Sequence, residues 1–155
     1  MTCAKYFLIG AIFSIITASP SYAEFSIPSH VFTVDQLEEA KDIAIATAKA
    51  LTFVYTNKET KCGLATSASL DAFKELQQET IIIYACSGND QTWSQLPSLV
   101  RRAINSPESG KYIPKTVIVD PKITKVIAII PYTRDPNRRK QLFNEANNII
   151  SRQSY

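Results

Sequence analysis

Thiols are the side chains of this sequence best suited to covalent chemistry. The chain has three cysteines, Cys3, Cys62 and Cys86, and a single histidine, His30. A thiolate attacks disulfides, and a thiol can also pair with a second thiol, so cysteine supports either exchange chemistry or a structural bridge. A single histidine excludes sites that need several imidazole ligands, and a Ser-His-Asp hydrolase would depend wholly on His30. We therefore predict thiol chemistry, with no metal ion and no other cofactor.

Residues 1–23 have the pattern of an export signal. Lys5 precedes an apolar run over residues 6–17, and Ser21-Tyr22-Ala23 then places small residues at the positions expected before a cleavage point. The apolar run is about half as long as a membrane span needs, so we favour a cleaved signal peptide over an uncleaved anchor. Cleavage removes Cys3 and leaves residues 24–155 as one domain without a membrane segment. That domain would be periplasmic or secreted, in an oxidising compartment.

The composition predicts one folded domain. The 155 residues are 45% hydrophobic and 20% charged, with only 4 glycines, which excludes disorder and low-complexity sequence. The net charge is +3, and the basic residues are spread along the chain. This charge is too small and too dispersed to indicate a nucleic-acid partner.

Hydrophobic patterning predicts alternating helices and strands. A capping box at Thr33 and Gln36 begins a helix that continues to about Lys49. Residues 24–34, interrupted by Pro28, are interpreted as an extended arm or a short edge strand. The later elements are a strand at 51–56, a helix at 67–79, a strand at 81–86, a helix at 97–105, strands at 116–119 and 125–130, and a helix at 137–151. This order predicts an α/β domain with a mixed sheet of about four strands flanked by helices, parallel crossovers and one terminal antiparallel hairpin.

The order of elements resembles the thioredoxin fold over roughly residues 35–151. Three features carry the resemblance: Cys62-Gly63 follows the first central strand, Ile113-Pro114 precedes the hairpin, and a C-terminal helix follows the hairpin. In that family a cis-proline lies beside the active-site cysteines. The resemblance therefore implies a cis bond before Pro114, and it implies that Ile113 and Pro114 bind the substrate. Residues 113–121 are similar to the exported thiol-disulfide branch of the family.

The cysteine motif departs from the family pattern. The family has two cysteines separated by two residues, whereas this chain has Cys62-Gly63-Leu64-Ala65. The resemblance makes Cys62 the attacking thiol. A position at a helix start and the neighbouring Lys61 both favour its thiolate form. A mixed disulfide at Cys62 would be resolved by the substrate, by a small thiol or by Cys86.

Cys86 leaves two classes of function open. It ends the second buried strand, and parallel strands finish at the same edge of a sheet, so Cys62 and Cys86 are candidates for a bond. A permanent bridge would stabilise the domain by about 3–4 kcal/mol. One hypothesis is exchange with exported protein or peptide thiols, with Cys62 and Cys86 as catalytic residues. The other is a non-catalytic thioredoxin-fold module, held by a Cys62–Cys86 disulfide, that belongs to an envelope or secretion assembly.

Aromatic and basic side chains suggest two secondary features. Members of the family bind extended peptide near the cysteine motif, and Trp93, Tyr84 and Tyr112 either line such a groove or pack beside a loop. The Arg-Arg-Lys sequence at residues 138–140 opens the last helix, where the helix dipole disfavours cations. We therefore expect these three side chains to face solvent or a partner.

Overall fold

A five-stranded mixed sheet organises residues 25–153, which are the residues that the computed structural model describes. The predicted signal peptide lies outside this range. The strands are β1 (Val31–Thr33), β2 (Ala50–Thr56), β3 (Thr80–Cys86), β4 (Lys115–Val119) and β5 (Val126–Ile130). Their spatial order is β1-β3-β2-β4-β5. Strand β3 pairs in parallel with β1 and β2, whereas β4 pairs antiparallel with β2 and β5.

Helices cover both faces of the sheet. They are α1 (Leu37–Ala46), α2 (Gly63–Leu76), α3 (Asp90–Gln95), α4 (Ser98–Ile104) and α5 (Pro136–Ile150). Buried residues of α2 and α5 belong to one apolar cluster, and those of α1 and α4 belong to a second cluster on the opposite face, where α3 also packs. None of these five helices, nor any other helix within residues 25–153, has the length and hydropathy of a membrane span.

Side chains along the central strand β2 point alternately into the two clusters. On β2, Val54 belongs to the cluster with α2 and α5, whereas Leu51 and Phe53 belong to the cluster with α1 and α4. All three side chains are fully buried. Complete burial of a side chain of this size contributes roughly 1.5–3 kcal/mol, so these positions fix β2 between the helical layers. The ends of β2 are thereby held in place for the site that follows it.

The observed α/β architecture is the thioredoxin fold that the sequence predicted, with corrections in detail. The sheet has five strands rather than about four, because the arm near the start of the domain contributes β1, which pairs with β3. The polar cluster after β3 contains α3, where the Asn89 side chain accepts a hydrogen bond from the Thr92 amide and caps the helix. Helix α2 also begins earlier than predicted, at Gly63.

The hairpin turn between β4 and β5 is organised by one carboxylate. Asp120 accepts hydrogen bonds from the backbone amides of Lys122, Thr124 and Lys125 and from the Thr124 hydroxyl. Burial alone would raise the pKa of Asp120, but these hydrogen bonds favour the carboxylate and lower the pKa below its usual value. The turn also places Ile123 at a φ of 58°, an uncommon conformation for a β-branched residue.

Candidate active site at the start of helix α2

Cys62 lies at the junction between the β2–α2 loop and helix α2. It is the N-cap residue of the helix and has extended backbone geometry, and its side chain is exposed. The second turn of α2 is anchored to the sheet by a buried hydrogen bond of 2.8 Å between the hydroxyls of Thr56 and Ser69. The Ser69 hydroxyl also donates to the carbonyl of Ala65 at 2.9 Å. The sheet therefore fixes the position of the helix start that presents the Cys62 thiol.

Ile113 and Pro114 lie before β4, and the bond between them is cis, as the resemblance implied. Ile113 and Cys62 line the same cavity, which has a volume of about 240 Å³. The residues that line this cavity are Thr60, Cys62, Leu64, Ala65, Tyr112, Ile113, Tyr132 and Arg134. The fold thus brings the predicted thiol and the residue before the cis-proline together, although they are far apart in sequence.

Large apolar side chains are exposed around this cavity. Leu64 is 50% exposed and Tyr112 is 68% exposed. The rings of Tyr112 and Tyr132 meet edge to face, with 6.4 Å between their centroids. Contact of grouped apolar side chains with water is unfavourable. Exposed apolar surface around a cavity is therefore typical of a binding site, where a ligand covers it.

Ala65 occupies the position at which the family pattern has its second cysteine. Its side chain is only 5% exposed and lines the cavity that contains Cys62. The position therefore has the burial and the placement of a resolving residue, but a methyl group cannot resolve a mixed disulfide. Any second thiol must come from elsewhere.

Cys86 has different surroundings. It ends β3, is partly buried, and packs against the cluster that contains Phe25, Val31 and Tyr84. Cys62 and Cys86 are both free thiols in this structure, and Cys86 does not line the cavity of Cys62. The resolving role of Cys86 and the Cys62–Cys86 disulfide both remain predictions.

No family model matches this sequence, and no curated protein matches it. A solved structure described as "DsbH Oxidoreductase" is similar to this chain, with 12% sequence identity, a TM-score of 0.47, and coverage of 75% of this chain and 82% of that chain. At this identity and TM-score the similarity assigns no function, and the fold itself is seen directly in the strand order of the sheet.

Tyr84 links Cys86 to the loop that precedes Cys62. Its hydroxyl accepts a hydrogen bond from the Lys58 amide at 3.3 Å, and Cys86, two residues later on β3, packs against the same apolar cluster. Burial, followed by the interaction with Cys86, raises the pKa of Tyr84 far above its usual value, so the phenol stays protonated. The arrangement positions the loop and gives the phenol a structural role.

Of the three aromatic residues considered for a groove near Cys62, only Tyr112 lines the cavity. Trp93 packs against Tyr55 with 5.7 Å between ring centroids, on the sheet face covered by α1 and α4. Tyr84 is buried on the opposite face. Tyr132 and Arg134, which the sequence did not single out, complete the cavity because the segment between β5 and α5 returns beside α2.

Arg139 does not face solvent, which corrects one sequence prediction. Its side chain is 7% exposed, and its Nη2 and Nε atoms lie 2.6 Å and 2.9 Å from Asp71 Oδ2. Its Nη1 atom donates to the carbonyl of Thr133 at 3.0 Å. The ion pair crosses from α5 to α2 and outweighs the unfavourable helix dipole.

Across residues 25–153, no group of three or more His, Cys, Asp or Glu side chains is arranged to hold a metal ion.

Proposed function

We propose that this chain is an exported thioredoxin-fold protein that takes part in thiol–disulfide exchange through Cys62. One observation carries the proposal: the exposed thiol of Cys62, the N-cap residue of helix α2, lies on the cavity that Ile113 also lines. The Cys62 thiol lies at the positive end of the α2 helix dipole, and the adjacent Lys61 adds positive charge. A bound disulfide would therefore meet a nucleophile and an apolar surface together.

The reaction begins when the Cys62 thiolate attacks one sulfur of a substrate disulfide. A bond forms between Cys62 Sγ and that sulfur, the substrate S–S bond breaks, and the other substrate sulfur leaves as a thiolate. A second thiol then attacks the mixed disulfide and releases Cys62 as a thiolate. The substrate sulfur is left bonded to the incoming thiol, so the substrate disulfide is exchanged and Cys62 is unchanged overall.

The cavity itself supplies no second thiol. Ala65 has no thiol, so a substrate thiol or a small-molecule thiol resolves the mixed disulfide in this way. Cys86 could resolve it instead after movement of the β2–α2 loop, by attacking the Cys62 sulfur, which releases the substrate as a thiolate and leaves a Cys62–Cys86 disulfide for a small thiol to reduce. The partners in this proposal are exported protein or peptide thiols, and the location that the predicted signal peptide implies is the periplasm or the exterior.

A second candidate function is a non-catalytic binding module. Ala65 favours it, because the cavity keeps its apolar wall while the local dithiol of the family is absent. In this case Cys62 and Cys86 form a structural disulfide, and the apolar surface around Tyr112 docks the chain into an envelope or secretion assembly.

Substitution of each cysteine separates these functions. We expect Cys62→Ser to abolish insulin reduction or oxidative refolding activity in the presence of a small thiol. The matched control Cys86→Ser should keep at least part of that activity. Equal activity of Cys62→Ser and the unchanged chain would remove Cys62 from the mechanism. A Cys62–Cys86 bond with a reduction potential below about −300 mV would favour the structural module instead.

A further inference from the structure

The charges around the Cys62 cavity indicate which disulfides it accepts. Arg134 is the only charged residue among those that line the cavity, and no acidic residue lines it. We propose that the cavity selects disulfides that carry an aromatic group and a carboxylate next to the sulfur, and that Arg134 binds the carboxylate. This inference rests on the proposed function, because it requires Cys62 to be the exchanging thiol.

Tyr112 and Tyr132 supply the aromatic part of the selection. Tyr112 is 68% exposed, yet its ring is supported by the edge contact with Tyr132. A supported tyrosine ring gives a flat apolar surface and loses little conformational freedom when a ligand binds to it. An aromatic group attached near the attacked sulfur would pack against this pair of rings while the sulfur faces Cys62.

Arg134 supplies the charge selection. It lies in the connection between β5 and α5 and is exposed. Two neighbouring arginines of α5 have acidic partners: Arg138 pairs with Glu145, and Arg139 pairs with Asp71. Within residues 25–153, Arg134 forms no ion pair and no side-chain hydrogen bond. Its planar guanidinium is therefore available for a ligand carboxylate, which it can bind through two parallel hydrogen bonds.

The tyrosine pair and Arg134 together determine which class of ligand fits the cavity. A ligand whose sulfur reaches Cys62 must fit a cavity of about 240 Å³, with the tyrosines and Arg134 on its wall. A cationic group next to the sulfur would be repelled by Arg134 and by Lys61 next to Cys62. In a protein substrate, the preferred site is thus a cysteine flanked by one aromatic and one acidic residue in an extended segment.

Small chromogenic disulfides test the charge selection directly. The full chain is reacted with dithiobis(nitrobenzoate), an anionic aromatic disulfide, and with dithiodipyridine, a neutral aromatic disulfide. The rate of the Cys62→Ser chain is subtracted, so that only the reaction at Cys62 is counted. We expect Arg134→Gln to slow the anionic reagent about three- to tenfold at low salt and to leave the neutral reagent unchanged. The difference should shrink at high salt.

Arg138→Gln is the matched control, because it removes the same charge from an exposed side chain that does not line the cavity. Equal slowing by both substitutions would show that net charge alone matters and would overturn the inference, as would no slowing by Arg134→Gln. These outcomes leave the proposed function intact as long as the Cys62-dependent rate is measurable. If Cys62→Ser reacts as fast as the unchanged chain, both the inference and the proposed function fail.

An aromatic and an aliphatic anionic disulfide together test the aromatic selection. We expect Tyr112→Ala to slow dithiobis(nitrobenzoate) severalfold but to leave dithiodipropionate, an aliphatic anionic disulfide, unchanged. Each rate is compared with that of the unchanged chain for the same reagent, because the leaving thiols differ in intrinsic reactivity. Equal slowing of both reagents would show that Tyr112 does not bind the aromatic group.

Discussion

Ala65 follows Cys62 by three residues, is buried, and lines the same cavity as the Cys62 thiol. Residues three apart lie on the same side of a helix start, so the Ala65 methyl group points to the region where a resolving thiol would act. The scaffold thus retains a site for a dithiol although the sequence supplies only one of the two thiols. This relationship permits a direct gain-of-function test.

Ala65→Cys should convert the chain into a dithiol oxidoreductase. We expect the new thiol to form a disulfide with Cys62 under mild oxidation, and we expect insulin reduction to rise at least tenfold, because resolution becomes intramolecular. Free-thiol titration and insulin turnover measure the two effects. Ala68→Cys is the control, since Ala68 is buried in the same helix but does not line the cavity. We expect no gain in that variant, and an equal gain in both variants would show that the position of Ala65 on the cavity does not matter.

Asp71→Asn should destabilise the domain by roughly 2–4 kcal/mol. The substitution leaves the buried guanidinium of Arg139 without its counter-ion, and the partial exposure of Asp71, at 42%, keeps the expected cost below that of a fully buried pair. Urea unfolding measures the change. The control Glu145→Gln weakens the exposed pair with Arg138, whose atoms are 3.8 Å apart, and should cost less than 1 kcal/mol. Equal costs would show that the Arg139 pair is not structural.

Asp120→Asn should lower stability at neutral pH by about 1 kcal/mol and should have no effect in strong acid. Hydrogen bonds in the turn lower the pKa of Asp120 in the folded state, relative to the ordinary value of 3.8. The carboxylate therefore contributes stability above that ordinary value, and the contribution is lost as the pH falls through the lower folded pKa. Urea midpoints of both chains across this range measure the difference. Asp42→Asn, at an exposed position of α1, is the control: its stability should not differ from that of the unchanged chain in this pH-dependent way.

Tyr84→Phe should loosen the loop before Cys62. The substitution removes the acceptor of the Lys58 amide and the interaction of the phenol with Cys86. We expect the Lys58 amide to exchange with solvent several times faster, and iodoacetamide to modify Cys86 faster, as NMR and mass spectrometry would record. Tyr55→Phe, on the opposite face of the sheet, is the control. Unchanged exchange at Lys58 would mean that the loop is held by other contacts.

The sequence predicted those parts of the fold that depend on local pattern. The alternation of helices and strands, the capping box at Thr33, whose amide donates to the Gln36 side chain, and the cis bond before Pro114 were all expected and are confirmed. Each depends on residues that are neighbours in the chain or on a motif. The hydrophobic pattern placed the start of α2 at residue 67, and only the family resemblance placed Cys62 at a helix start, where the structure has it.

The rest of the site depends on contacts between distant segments. Arg139 is buried because Asp71, 68 residues earlier, lies opposite it. Tyr132 and Arg134 reach the cavity only because β5 returns the chain to the start of α2. Trp93 is directed to the other face of the sheet, against Tyr55. No local pattern contains this information, so only the three-dimensional structure could show that Tyr132 and Arg134 line the cavity of Cys62.

Peptide mapping of a trapped mixed disulfide identifies the cysteine that exchanges with substrate. The full chain is incubated with a peptide disulfide, exchange is quenched with acid, and the site of the covalent adduct is identified by mass spectrometry. We expect a peptide attached to Cys62, with Cys86 unmodified. An adduct on Cys86 alone, or a Cys62–Cys86 bond that persists in the presence of the peptide and a small thiol, would contradict the proposed exchange at Cys62.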